Sequence, residues 1–225
     1  MTARLEPGRL HVLTDASLQD RFSHAELCGL AADGGADAVQ FREKRGWETA
    51  RLVAEARRMR ELLADRGVRL IVNDRVDVAR VAGADGVHLG DSDPSPGAAR
   101  RLLGPACLIG RTVHGLEQAR AERSAPVDYL GVGPVFGTSS KSARPALGLV
   151  ELRRIVDASG LPVIAIGNID AQRVAEVLAA GAHGVAVLSA VVLRPDPAAE
   201  VARIRESIDR FLREGRDGRH AGLAG

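Results

Sequence analysis

Aromatic side chains are scarce. Phe, Trp and Tyr together make up 3% of the chain, while hydrophobic residues as a whole make up 45%. A core must therefore be built from Val, Leu, Ile and Ala, the composition of parallel strands covered on both faces. Cysteine is nearly absent. Cys28 and Cys107 stand in apolar surroundings without CxxC spacing, which argues against a disulfide scaffold or a thiolate metal site and leaves two buried, reduced thiols as the expectation. No apolar run approaches the ~20 residues of a membrane span. The segment Met1–Pro7 lacks the apolar stretch of a signal peptide. A cytoplasmic protein without membrane contact is expected. There is also no excess of one charge. The formal net charge is +2, too weak a field to gather nucleic acid or an anionic membrane. Basic residues grouped within a site could still bind a small anion.

What is present is a repeated alternation. Short apolar runs recur at Leu10–Thr14, Ala38–Arg42, Leu70–Asn73, Gly86–Leu89, Cys107–Arg111, Tyr129–Val132, Val163–Gly167 and Gly184–Leu188. Each is followed by a segment with helical spacing. Leu52, Val53, Ala56, Met59, Leu62 and Leu63 share one helix face, as do Val201, Ile204, Ile208 and Phe211. Four runs are introduced by related phrases, such as Gly35-Ala36-Asp37 and Gly83-Ala84-Asp85, where glycine ends a helix and the next residues turn into a strand. Strand–helix units repeated in this way predict an α/β fold, a single (β/α)8 TIM barrel over 1–214, with a flexible tail over 215–225. A doubly wound open sheet is the alternative, weakened by the lack of GxGxxG after the first strand.

In such a barrel the chemistry lies at the C-terminal ends of the strands. After the second strand, alternation puts Gln40, Arg42 and Lys44 on one side. That side is either the interior, where two cations and an amide would converge, or an outward surface ladder. Asn73-Asp74 ends the third strand, and Gly90-Asp91-Ser92-Asp93 follows the fourth. Asp74 and Asp93 read either as ligands of a divalent cation such as Mg²⁺ with a polyphosphate or as ordinary helix N-caps. His114, after Arg111-Thr112-Val113, reads as an acid–base group or a structural imidazole. His11 and His88 are weaker candidates. The long stretch Gly133–Leu147 holds hydroxyls and Lys141 behind a Gly-Pro turn, which suits a mobile flap closing on phosphate. Gly167 and Ser189 follow the last two strands, where many barrels bind a phosphomonoester; a tight turn and a serine cap are the plainer reading.

Five phrases carry a resemblance over roughly Leu10–Val192: Val39-Gln40-Phe41-Arg42-Glu43-Lys44, Val72-Asn73-Asp74-Arg75-Val76-Asp77, Ala84-Asp85-Gly86-Val87-His88-Leu89-Gly90, Gly133-Pro134-Val135-Phe136 and Pro162-Val163-Ile164-Ala165-Ile166-Gly167. Together they resemble the thiamine phosphate synthase superfamily. The resemblance implies a transferase that joins an aminopyrimidine methyl diphosphate to a thiazole phosphate and releases pyrophosphate through a dissociative step. It implies that Gln40, Arg42, Lys44 and Asn73 face the pyrimidine and its diphosphate, that Asp74 and Asp93 hold Mg²⁺, that Thr138, Ser140 and Lys141 grip pyrophosphate, and that Gly167 and Ser189 bind the thiazole phosphate. Arg42, Thr112, His114 and Lys141 are the expected catalytic group, with Thr112 also touching substrate. A homodimer is possible. The chain departs from the usual synthase phrases at Asp91, where Gln is usual, at Thr112, where Ser is usual, at Ser140 and Ala143 within the Thr-Lys-x-Asp phrase, and at Asn168, where a second Gly is usual. Arg111-Thr112-Val113-His114 is similar to the superfamily's thiazole tautomerase, which is the alternative activity. A non-catalytic phosphate-binding barrel is the third.

Overall fold

The structure is a computed structural model that describes residues 5–137 and 145–221. Eight parallel strands close a barrel in sequential order. They are β1 (Leu10–Thr14), β2 (Ala38–Phe41), β3 (Arg69–Asn73), β4 (Gly86–Leu89), β5 (Leu108–Val113), β6 (Tyr129–Val132), β7 (Val163–Ile166) and β8 (Gly184–Val187). The helices between them are α1 (His24–Asp33), α2 (Thr49–Leu63), α3 (Val76–Ala82), α4 (Pro96–Leu103), α5 (Leu116–Ala121), α6 (Gly148–Ser159) and α7 (Val174–Ala179). A short α8 (Ser189–Val192) follows β8, and α9 (Pro197–Ala221) closes the ring. The barrel is the expected one. No helix among the described residues is long and apolar enough to cross a membrane.

Alternation along the strands builds two cores. Outward residues such as Val39, Phe41, Val72, Val87 and Leu130 pack under the helices with Leu52, Met59, Leu152 and Ile204. Inward residues fill the barrel: Ala38, Ile71 and Leu108 form one cluster, and Leu13, Tyr129, Ile164 and Ala186 form a second. Both clusters consist of alternate residues on their strands, as the pleat requires. The strand limits differ slightly from the sequence expectation. β5 starts after Cys107 and runs past Arg111, because Thr112 pairs with Gly131 and Val113 with Val132. Arg42, Gly167 and Leu188 lie just beyond their strands. α9 continues past Glu214 to Ala221, and residues 222–225 of the expected tail lie outside the described residues. Cys28 is buried and Cys107 only half-buried, and both are free.

The aspartates of the two Gly-Ala-Asp phrases and of the related Val127-Asp128 have a job at the opposite mouth. Asp37, just before β2, accepts the amides of Arg9 and Leu10 at 2.7 and 2.9 Å. Asp85, before β4, accepts Leu70 N–H at 2.8 Å. Asp128, before β6, accepts Ile109 N–H at 2.7 Å. Each carboxylate thus clasps the first free amide of the preceding strand. Buried or half-buried amides need such a partner, and these contacts hold the N-terminal face together while the other face is left for loops.

Candidate active site

A pocket of about 180 Å³ opens at the C-terminal end of the barrel. Four residues singled out in the sequence meet in its wall: Gln40, Arg42, Asn73 and Thr112. The inward reading of the second strand therefore holds for Gln40 and Arg42, with Val39 and Phe41 the outward pair, whereas Lys44 does not line the pocket. One side of the pocket is apolar, with Leu13, Ile164, Ile166 and Ala186. The other side is polar. His88 reaches Thr112 Oγ1 through Nε2 at 2.8 Å and Tyr129 OH through Nδ1 at 3.2 Å. His11 donates from Nε2 to the Pro7 carbonyl at 2.6 Å and meets the edge of Tyr129 at 5.3 Å. Burial pulls the pKa of both His11 and His88 down to about 4, so each ring is neutral near pH 7. Burial likewise raises that of Tyr129. A neutral floor with fixed hydrogen-bonding groups, facing an apolar wall, is the make-up of a small-molecule site.

His88 and Tyr129 were undervalued in the sequence. Their signal was the strand period: His88 stands two residues after inward Gly86, and Tyr129 two before inward Gly131. What makes room for them is invisible without register. A Cβ on Gly110 would lie 2.2 Å from Tyr129 Cζ and 2.5 Å from His88 Nδ1, and one on Gly131 would lie 2.7 Å from His88 Cε1.

Charged groups ring the mouth. Arg42 pairs with Asp15, and burial lowers the pKa of its guanidinium. Lys44 pairs with Asp74, which holds a left-handed backbone (φ 65°). The N-cap reading of Asp74 and Asp93 fails. Arg75 is the N-cap of α3 and receives no side-chain bond, while Ser95 caps α4 by accepting Ala98 N–H at 3.3 Å. Asp93 instead accepts Gly90 N–H at 2.6 Å. Its pKa is raised, first by burial and then by the nearby negative charge of Asp74. Two carboxylates held together in a partly buried place are a cation's environment. No group of three or more His, Cys, Asp or Glu side chains able to hold a metal occurs among the described residues. The pair fits Mg²⁺, which commonly takes one or two carboxylates and completes its shell with water and phosphate oxygens. Arg111 donates to the Gly90 carbonyl while Asp93 accepts the Gly90 N–H, so the peptides on both sides of Gly90 are held. His114 donates from Nδ1 to Gly133 O at 3.1 Å, and its Nε2 lies 3.3 Å from Asp91.

Gly167 also meets a steric demand. It has φ 112°, and a Cβ there would meet Pro134 Cα at 2.6 Å and Val135 N at 2.9 Å. The close approach is made by the neighbouring β6 loop, which is pinned to it by Phe136 N–H donating to Gly167 O at 3.2 Å. Ser189 is exposed and opens α8 after Leu188, the N-cap. Thr138, Ser140 and Lys141 lie outside the described residues. A larger open groove of about 730 Å³ lies on the rim near α7 and α9, lined by Arg194, Asp196, Glu200 and Arg203 among others. None of the inward barrel residues lines it, so the smaller pocket is the better candidate despite its size.

Comparison with known proteins identifies the family. Residues 10–191 match the family model described as thiamine monophosphate synthase. The thiamine-phosphate synthase of Salinibacter ruber is 48% identical over 92% of this chain and 91% of its own. That of Methanoculleus marisnigri is 45% identical over 92% of this chain and 98% of its own. Among solved structures, the thiamine phosphate pyrophosphorylase of Pyrococcus furiosus superposes with a TM-score of 0.82 at 35% identity, covering 91% of this chain and 96% of that one.

Proposed function

Because the chain belongs to the thiamine monophosphate synthase family and its activity is thiamine phosphate synthesis, we propose that it joins an aminopyrimidine methyl diphosphate to a thiazole phosphate in the pocket at the barrel mouth. One observation carries this assignment: Gln40, Arg42, Asn73 and Thr112 line one pocket, and the Asp74–Asp93 pair with Lys44 stands at its rim.

The pyrimidine ring lies against Leu13, Ile164 and Ile166, and its nitrogens are read by Gln40, Asn73 and the His88–Thr112 pair. Its diphosphate points outward to Arg42, Lys44 and the two aspartates. Asp74 and Asp93 would hold Mg²⁺, which when bound neutralises charge growing on the departing diphosphate. Arg42 and Lys44 supply further positive charge at the same place, where fixed groups act without reorganising. Departure leaves a pyrimidine methyl cation. The apolar wall keeps water from it until the thiazole nitrogen attacks. The thiazole phosphate sits by Asn168 and Ser189, after β7 and β8. Gly167 serves this subsite by letting the β6 loop pack closely beside it.

The test is assay of the purified protein with both substrates, with and without Mg²⁺, following pyrophosphate release. Thiamine phosphate should form only with the cation. Equal rates after chelation would remove Asp74 and Asp93 from a metal role.

A further inference from the structure

We propose that Asp15 is a positioning residue for the reaction, a buried carboxylate that holds the Arg42 guanidinium over the barrel pocket. The proposal rests on the reading of Arg42 as a substrate-binding residue. Asp15 follows β1 and is 1% exposed. Its two oxygens are used differently. Oδ1 accepts the Ser17 amide at 2.7 Å and the Ser17 hydroxyl at 2.5 Å, which fixes the orientation of the carboxylate. Oδ2 is left to pair with Arg42 Nη1. The Arg42 side chain is 29% exposed and lines the pocket beside Gln40 and Asn73.

A second anchor holds the same loop one residue on. Thr14 Oγ1 and His24 Nδ1 are 2.7 Å apart, and His24 Nε2 and Glu43 are 3.0 Å apart. His24 is fully buried, and its ring meets Phe41 and Trp47 edge-on at 4.8 and 5.4 Å. Arg42 thus leaves a backbone pinned at Glu43 and ends on a side-chain partner fixed by Ser17. A carboxylate beside an anion-binding arginine weakens its attraction for phosphate. What it contributes must therefore be geometry: the rotamers of a long side chain are ordered on folding and not on substrate binding.

The experiment is a double-mutant cycle with Asp15→Asn and Arg42→Gln, measured as kcat/KM for the pyrimidine diphosphate. If Asp15 acts through Arg42, Asp15→Asn lowers kcat/KM by about tenfold or more in the native background, the scale of a misplaced binding group. In the Arg42→Gln background it should cost less than about threefold, since coupled residues are non-additive. The KM for thiazole phosphate should stay within about twofold in both. Equal losses in the two backgrounds would make Asp15 merely structural and overturn the proposal. Should Asp15→Asn fail to fold, Ser17→Ala replaces it in the cycle with the same expected non-additivity, and equal losses there overturn the proposal too. Wild-type kinetics for Arg42→Gln alone would overturn the site reading itself, an outcome distinct from additivity.

Discussion

Gly131→Ala should cost both stability and pyrimidine binding, although it adds one methyl group to a strand. The added carbon would sit 2.7 Å from His88 Cε1 and 3.1 Å from its Nε2. Carbon atoms rest at about 3.5–4.0 Å, so the ring must retreat by roughly 1 Å. It has little room, because Thr112 holds Nε2 at 2.8 Å and Tyr129 lies at 3.2 Å from Nδ1. Overpacking of this kind costs about 1–3 kcal/mol, and loss of the Thr112 hydrogen bond adds about 1 kcal/mol. A total of roughly 2–4 kcal/mol at about 2–4 °C per kcal/mol lowers the melting temperature by about 4–16 °C. The displaced ring also enters a pocket of only about 180 Å³, so KM for the pyrimidine diphosphate should rise at least about tenfold, near 1.4 kcal/mol. Gly115→Ala is the control: no heavy atom lies within 4 Å of the added carbon, and its φ of −179° is open to any residue. It should melt and react like the native protein. Thermal melts and pyrophosphate release on all three proteins decide the matter. A Gly131→Ala protein with native melting and native KM would show that His88 does not rest on Gly131, and would remove His88 from the pocket floor.

Asp93→Asn keeps size but removes one of the paired charges, so synthesis should fall by about one to three orders of magnitude, while calorimetry should find thiazole phosphate binding unchanged; native turnover at low Mg²⁺ would refute the metal assignment. Lys141→Ala should leave the melt within about 0.5 kcal/mol of native and lower turnover at least about tenfold, and full turnover would exclude Lys141 from the reaction. The folded pKa of His11 and of His88 is about 4, against 6.5 for a free imidazole. The unfolded chain therefore binds more protons between these values, so stability is full above pH 6.5 and falls as pH drops toward 4, by up to about 3 kcal/mol for either ring taken alone. A melting temperature flat from pH 7 to pH 4 would contradict the buried, neutral rings.

The barrel was legible because its strands obey two simple rules. Val39 and Phe41 are apolar and face helices, so Gln40 and Arg42 had to face inward. The Gly-Ala-Asp phrases marked where strands begin, although their role as clasps on neighbouring amides required register to see. The two aspartates at the mouth were ambiguous for a physical reason: a short carboxylate just before a helix can serve as cap or as ligand. The structure separates these readings because Ser95, two residues after Asp93, does the capping. The pocket floor was hardest to read. Nothing local to His88 says that Gly110 and Gly131 stand beside it, since that neighbourhood is set by the pairing register of β4, β5 and β6.

The departures from the family's usual phrases bear on whether the synthase reading survives them, and each described one is absorbed by a local contact. Thr112 keeps the hydroxyl of the usual serine and uses it on His88 at 2.8 Å. Asn168 takes the place of a glycine in a left-handed backbone, φ 52°, a conformation Asn tolerates better than most residues, and its amide donates to Gly137 O at 2.8 Å. Asp91 replaces a neutral amide and lies 3.3 Å from His114 Nε2. His114, the residue that most resembled the tautomerase, is thereby tied into the same stretch that carries Asp93, with its other nitrogen on Gly133 O at 3.1 Å. His114 is thus held between the segments that follow β4 and β6. In the proposed synthase, Asp91 and His114 act as a bracing pair at the rim. His114→Asn should accordingly slow synthesis only moderately. A loss as large as that of Asp93→Asn would show instead that the imidazole acts on the substrate directly.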